Sequence, residues 1–347
     1  MEGISAIDLF CGAGGLSQGL SEAGVKVVAG IDTDPRCKYP FEANIGGRFL
    51  EQDVQTVSGA QLNRLWGRGT VKVLAGCAPC QPFSSYRRGV DTSREKEWSL
   101  LSEFGRLART TRPHVVTMEN VPRIASSTIF QTFISTLKTN GFHVSYKSVY
   151  CPEYGLPQHR RRLVLLASRL GPIKIPDGTY APGSFITVRD AIGNLPAIEN
   201  GEVDRIDSLH RSRNLSEINL KRIRASTPGG TWEDWPPELR APCHRRATGA
   251  TFRSVYARML WDDPSPTITT MAYNFGTGRF GHPSQDRAIS LREASILQGF
   301  PLGYDFIPPG GKVEFAPLGR LIGNAVPPVI GKLIGATIAE HIKDRFR

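Results

Sequence analysis

The sequence is short of paired cysteines, of long apolar runs and of acidic residues, and each shortage closes off a class of protein. Six cysteines, Cys11, Cys37, Cys77, Cys80, Cys151 and Cys243, are scattered without metal-ligand pairing; Cys77 and Cys80 form a C-x-x-C, but no second pair follows to complete a zinc site. They read as reduced thiols in a cytosolic protein, and no metal is expected. No stretch is apolar for long enough to span a bilayer, and Met1-Glu2-Gly3-Ile4-Ser5 is not a basic segment leading into an apolar one. Membrane insertion and secretion are therefore not expected. Low-complexity tracts are also missing, and 347 residues of 40% hydrophobic composition can bury a large core, divided between two domains. Acidic residues number 32 against 43 Lys and Arg, and the resulting net charge of +11 points to a polyanionic partner. Most of the surplus lies between Arg160 and Leu260, where 17 Lys and Arg stand against 10 Asp and Glu; a solvated basic face is the plainer account of the same count.

What is present centres on Cys80. The run Val71-Lys72-Val73-Leu74 reads as a buried strand ended by Gly76, and Pro79 and Pro82 hold Ala78 and Gln81 away from helical dihedrals. A stiff loop thus carries the thiol away from a sheet edge. An inert buried cysteine is one alternative; a redox pair with Cys77 is another, although Ala78-Pro79 follows a strand and does not open a helix. Upstream, Ile4 to Phe10 reads as a strand, Cys11 to Gly15 as a glycine turn, and Leu16 to Ala23 as a helix. Counted from Gly12, a dinucleotide fingerprint fails at its sixth position, Ser17, which disfavours a pyrophosphate ligand. The strand Val25 to Ile31 ends at Asp32, about 20 residues beyond the turn, where a carboxylate accepts from ribose hydroxyls. Phe49 to Val54 brings up Asp53, a candidate acceptor for an adenine amino group. The pair suits an adenosine cofactor, with ordinary surface-turn carboxylates as the alternative.

Ser84 to Trp98 is polar, with Gly89 as a pivot, and is expected to act as a lid. Leu100 to Arg109 has helical spacing, and Pro113 to Met118 runs as a strand into Glu119-Asn120-Val121. Ile129 to Asn140 is a helix, and strands at His143 to Tyr150 and Arg162 to Ala167 flank Gln158-His159-Arg160-Arg161-Arg162. Alternation through Ser168 predicts an α/β fold: a doubly wound, mainly parallel sheet binding ligands at its carboxyl edge. From Gly171 to about Pro309 the texture turns to Pro, Gly, Arg and Trp, a second, smaller, loop-rich domain. The apolar helix Gly331 to Ile342 is expected to return to the first. The boundaries predicted are 1–180 with 318–347 for the first domain and 181–317 for the second with its hinge.

In this order the segments resemble the DNA (cytosine-5)-methyltransferase family over nearly the whole chain. Asp8-Leu9-Phe10-Cys11-Gly12-Ala13-Gly14-Gly15 resembles its S-adenosylmethionine motif, Pro79-Cys80-Gln81 its nucleophile motif and Glu119-Asn120-Val121 its base-binding motif. Gln158-x-Arg160-x-Arg162, Arg292-Glu293-Ala294 with Gln298-Gly299-Phe300-Pro301, and Gly323-Asn324-Ala325-Val326-Pro327-Pro328 follow in the family's unpermuted order. Cys11 stands where the family often has alanine, and Ala78 where a bulkier residue or proline is common. No long regulatory segment precedes the first motif, which favours a prokaryotic or phage modification enzyme.

The resemblance implies a Rossmann-like S-adenosylmethionine-dependent methyltransferase whose variable stretch, Ser168 to Ser290, is a target-recognition domain. Its cofactor contacts would be Phe10, Gly12, Ala13, Gly14, Gly15, Asp32, Thr33, Asp53, Val54, Pro79, Leu100, Asn324 and Val326. Contacts to double-stranded DNA would come from Gln81, Ser84, Arg87, Thr267 and Ile268. Cys80 would add to carbon 6 of cytosine so that carbon 5 can take the methyl group. A free thiol, with a pKa of about 8.5, needs activation at neutral pH, for which Arg160 and Arg162 are candidates. Glu119 would neutralise charge at ring nitrogen 3, Asn120 would hold its loop, and the base would be flipped out of the duplex. A cytoplasmic, nucleoid-associated monomer is expected, with a companion restriction endonuclease acting separately. Three rivals remain. A nicotinamide oxidoreductase does not need the later motifs, a transfer-RNA cytosine methyltransferase needs less duplex-reading surface, and a silent DNA-binding regulator does not need Cys80 or Glu119.

Overall fold

The computed structural model describes residues 3–67, 69–79, 97–246, 249 and 253–346. Cys80, Gln81, Ser84, Arg87 and nearly all of the expected lid lie outside the described residues. The chain divides into two compact units, the first made of Met1–Tyr154, Arg161–Thr179 and Ala325–Arg347, the second of Gly155–Arg160 and Tyr180–Asn324.

The first unit is built on strands β1 (Ile4–Leu9), β2 (Lys26–Asp32), β3 (Arg48–Glu51), β4 (Val71–Gly76), β5 (Val115–Asn120), β6 (His143–Tyr150) and β7 (Arg161–Ser168). They form one sheet in the order β3-β2-β1-β4-β5-β7-β6. Every pairing from β3 through β5 is parallel, and β7 runs antiparallel to both β5 and β6. The sheet is doubly wound and mainly parallel, as the alternation of elements predicts. Helices cover both faces of such a sheet, so its central strands β1, β4 and β5 are buried along almost their whole length, β5 at all six positions. Helices α4 (Glu97–Thr111) and α5 (Thr128–Thr139) pack on one another with Phe104 and Phe133 in tilted contact, ring centroids 5.3 Å apart. The chain leaves β1 and β4, neighbours at the centre of the sheet, toward different partners. Their carboxyl ends therefore frame a crevice at the point where the strand order reverses.

Helix α10 (Pro328–Arg345) packs on α1 (Gly15–Glu22), as expected of the terminal helix. Their backbones touch: a Cβ on Gly19 would lie 2.0 Å from the Pro328 carbonyl oxygen, and one on Gly331 would lie 2.5 Å from that of Leu16. Only glycine permits that approach. The stretch Phe315–Arg345 is apolar enough to cross a membrane, contrary to the expectation from the sequence. Of an 18-residue apolar span within it, 67% is buried within the protein, which explains its composition without a bilayer.

The second unit has short helices, α6 (Val188–Ile192), α7 (Glu217–Arg224), α8 (Leu291–Leu297) and α9 (Phe315–Asn324), joined by long irregular segments. Its aromatic core gathers Trp232, Trp235 and Phe275 around Ile223, with Trp232 stacked on His244 at 4.3 Å. Buried arginines hold the loops together. Arg287, fully buried, makes two 2.7 Å bonds to Glu293, whose Oε2 also caps α8 through the Ser290 N–H. Burial alone would raise the Glu293 carboxyl, but the Arg287 pair outweighs it and brings the pKa down to about 2. Gly155–Arg160 joins this unit because the buried Gln158 donates to Leu297 O and accepts from Ile268 N.

Candidate active site at the sheet edge

At the end of β1 the chain turns sharply. Phe10 adopts φ 58°, a left-handed conformation rarely taken by a bulky residue, and Gly12 (53°) and Gly14 (89°) follow it. The turn is pinned to the next strand: Asp32 at the end of β2 accepts from Gly12 N at 2.9 Å through one carboxylate oxygen, and from Asp34 N at 3.0 Å through the other. Asp53 beyond β3 accepts from Gln55 N at 2.9 Å. Phe10, Asp32, Thr33, Gln52, Asp53, Val54, Gln55, Pro79 and Leu100 line a cavity of about 270 Å³. Seven of these nine are residues expected to contact a cofactor. Gln52 and Gln55 are additional; lying either side of Asp53 at a strand end was the signal that could have found them.

The other expected cofactor residues are placed differently. Gly12 and Gly14 shape the turn, and Gly14 is the N-cap of α1. Gly15 sits against the chain entering α10, where an added Cβ would come within 2.2 Å of Val326 O, so both residues serve the approach of those segments. Asn324 is exposed at the end of α9 in the second unit. Beneath the turn, the buried Asp8 accepts from Ser17 Oγ at 2.7 Å, and Ser17 is the residue that breaks the dinucleotide fingerprint. Among the described residues the second carboxylate oxygen of Asp8 has no hydrogen-bond partner. Burial, only partly offset by Ser17 and reinforced by Asp32, raises the Asp8 pKa to about 7.

At the ends of β4 and β5 a second cluster forms. Glu119 is 2% exposed. Its Oε1 lies 2.8 Å from Arg162 Nε, at ion-pair distance but outside hydrogen-bond alignment, and its Oε2 accepts from Cys77 Sγ at 3.0 Å. Asn120 donates to Ala78 O at 2.9 Å and accepts from Val121 N at 2.8 Å, tying the loop after β5 to the residue before Pro79. Arg162 thus faces a carboxylate. Arg160, buried in the second unit, donates to Gln158 Oε1 at 3.2 Å and Ile268 O at 3.1 Å. Thr267 Oγ1 donates to His159 O at 2.6 Å. Arg160, Gln158, Thr267 and Ile268 therefore form one local brace.

A family model, the C-5 cytosine-specific DNA methylases, matches residues 4–340. The chain belongs to this family. It is 48% identical to the Type II methylase M.HgiDII of Herpetosiphon aurantiacus, over 98% of this chain and 96% of that protein. It is 30% identical to the Type II methyltransferase M1.HphI of Haemophilus parahaemolyticus, over 96% and 86%. Among solved structures it superposes on one described as a DNA modification methyltransferase from an E. coli prophage, with TM-score 0.73 and 22% identity over 98% of this chain and 99% of that one. The chain is a DNA (cytosine-5)-methyltransferase with the Rossmann-like fold of that family, and its reaction is methylation of cytosine carbon 5 in DNA.

The cavity fits the family's donor, S-adenosylmethionine. An ionised carboxylate has about four acceptor positions, so Asp32 and Asp53 keep capacity for hydroxyl and amino donors after binding their backbone N–H groups. Its volume falls just below the usual range for small-molecule sites of about 300–1,000 Å³, which suits the nucleoside end of such a ligand.

Proposed function

We propose that the chain methylates carbon 5 of cytosine within a specific duplex sequence, taking the methyl group from S-adenosyl-L-methionine, flipping the target base and passing through a covalent Cys80 adduct at carbon 6. The observation that carries this reading is the buried Glu119, held by Arg162 and Cys77 at the same sheet edge as the Asp32 and Asp53 cavity and linked through Asn120 to Ala78, two positions before Cys80 in the sequence.

Bound in that cavity, S-adenosylmethionine supplies an electrophilic methyl group on a sulfonium centre. Asp32 would accept from its ribose hydroxyls and Asp53 from its adenine amino group, with Phe10 and Val54 as apolar walls. Cys80 as thiolate attacks carbon 6, and the displaced electron pair makes carbon 5 nucleophilic. A proton carried on Glu119 is donated toward ring nitrogen 3, which accepts it as negative charge builds there. Loss of the carbon 5 proton after methylation lets Cys80 leave, and the ring regains its double bond. The second unit acts as the target-recognition domain. The Type II names of the relatives support a place in a restriction-modification system; in this reading the methylase works as a cytoplasmic monomer and a separate endonuclease acts beside it.

Bisulfite sequencing of DNA from cells expressing the chain should reveal methylated cytosine in one sequence context. A duplex with 5-fluorocytosine at that position should form a denaturant-stable adduct, because fluorine does not leave as a cation. Cys80→Ser should lose both the adduct and turnover while still binding S-adenosylmethionine. An adduct mapped to Cys77, or methylation confined to RNA, would overturn the proposal.

A further inference from the structure

We infer that Cys77 is a positioning residue for the methyl-transfer reaction: its thiol fixes the carboxyl plane of Glu119, leaving the group aimed for a pyrimidine. The inference rests on the reading of Glu119 as the group that meets ring nitrogen 3.

A carboxylate that is 2% exposed is stable only if its oxygens have partners. Arg162 stands 2.8 Å from Oε1, yet without the alignment of a hydrogen bond, so it supplies charge but little directional control. The directional contact is the Cys77 S–H on Oε2 at 3.0 Å. Cys77 can hold that geometry because its own backbone is fixed: it directly follows β4, and its N–H donates to Leu9 O at 3.3 Å. Glu119 is the fifth residue of β5, itself laddered to β7 through Val164. The contact therefore joins two adjacent strand ends whose backbones cannot drift apart, and only side-chain rotation is left to control. A thiol is a weak donor, and this suits the task. It orients the carboxyl before the base arrives and gives way readily when a pyrimidine needs the same oxygen.

The experiment compares Cys77→Ala, Cys77→Ser, Glu119→Gln and the double variant Cys77→Ala/Glu119→Gln in the full chain, with tritiated S-adenosylmethionine and unmethylated duplex DNA. Cys77→Ala should lower kcat about tenfold, the scale of one lost hydrogen bond to a charged acceptor, with KM for S-adenosylmethionine within about twofold. Cys77→Ser, which keeps a donor, should recover most of that loss. The double variant should be no slower than Glu119→Gln, since the thiol acts only through the carboxyl. Unimpaired turnover in Cys77→Ala, a Cys77→Ser as slow as Cys77→Ala, or additive losses in the double variant would each overturn the inference while leaving the role of Glu119 standing. A fully active Glu119→Gln would instead remove the reading on which it rests.

Discussion

In the first unit the buried backbone of β1, β4 and β5 is satisfied strand to strand, whereas in the second isolated backbone bonds and bridges share that work with arginine side chains. Arg258 alone donates to the carbonyl oxygens of Ile223, Ser226, His282 and Gln285 and pairs with Asp286. Arg222 donates to Leu239 O, Arg287 to Ile198 O, and Arg292 to Tyr304 O and to Asp207. A ladder needs regular strands; a guanidinium, with five donors in a fixed fork, can tie together carbonyls that point in unrelated directions. Arg160, Arg222 and Arg258 lie in the basic stretch between Arg160 and Leu260, yet all three are buried, so they hold loops together and present no charge to a polyanion. The partner-facing charge of this unit must come from exposed residues such as Arg205, Arg213, Lys221, Arg245 and Arg246.

The contrast is broken most severely at Arg287. Arg287→Ala leaves the Glu293 carboxylate buried without its partner, and the second unit should lose about 3–5 kcal/mol, read by chemical denaturation; a loss under about 1 kcal/mol would mean that the loops do not depend on this pair. In the first unit the corresponding group is the buried Asp8. Because its folded pKa of about 7 lies above the ordinary value of 3.8, the folded state holds a proton that the unfolded chain has released, so stability drains away as pH rises from about 4 to 7. Asp8→Asn removes that titration, and the stability difference between variant and parent should move in the variant's favour by about 2–3 kcal/mol between pH 5 and pH 8, measured by thermal or urea unfolding. A pH-independent difference would show that Asp8 is ionised in the fold.

Asp32→Ala should weaken S-adenosylmethionine binding by about 1.5–3 kcal/mol in a calorimetric titration, since a charge-assisted hydrogen bond is lost; an unchanged titration would remove Asp32 from the site. The smallest effect is expected at the exposed charges. Replacing exposed Arg245 and Arg246 by Gln should leave stability within about 0.5 kcal/mol and lower the slope of log affinity against log salt by about 2, as two phosphate contacts are lost. An unaltered salt slope would place the phosphate-facing charge elsewhere on the unit.

The sheet was legible because its central strands are apolar runs whose ends carry Gly, Asp or Glu-Asn; β1, β2, β5 and β7 lie within two residues of their predicted bounds, and the more polar β6 falls at His143–Tyr150 as read. The glycine turn, Asp32 and Asp53 were visible for the same reason, since local backbone demands and strand-end position are written in neighbouring residues. What the sequence determined by itself is therefore the chemistry available at each strand end and the order in which the chain supplies it. Which groups face one another was decided by the tertiary structure. Glu119 meets Arg162 and Cys77 only because β4, β5 and β7 lie side by side, and Ser17 meets Asp8 only because α1 folds back over β1. Arg160 and Arg162, two residues apart and alike in sequence, part company for the same reason: one braces loop carbonyls and the other pairs with a carboxylate. Pair interactions across distant segments depend on distance and burial, and neither is a property of local sequence.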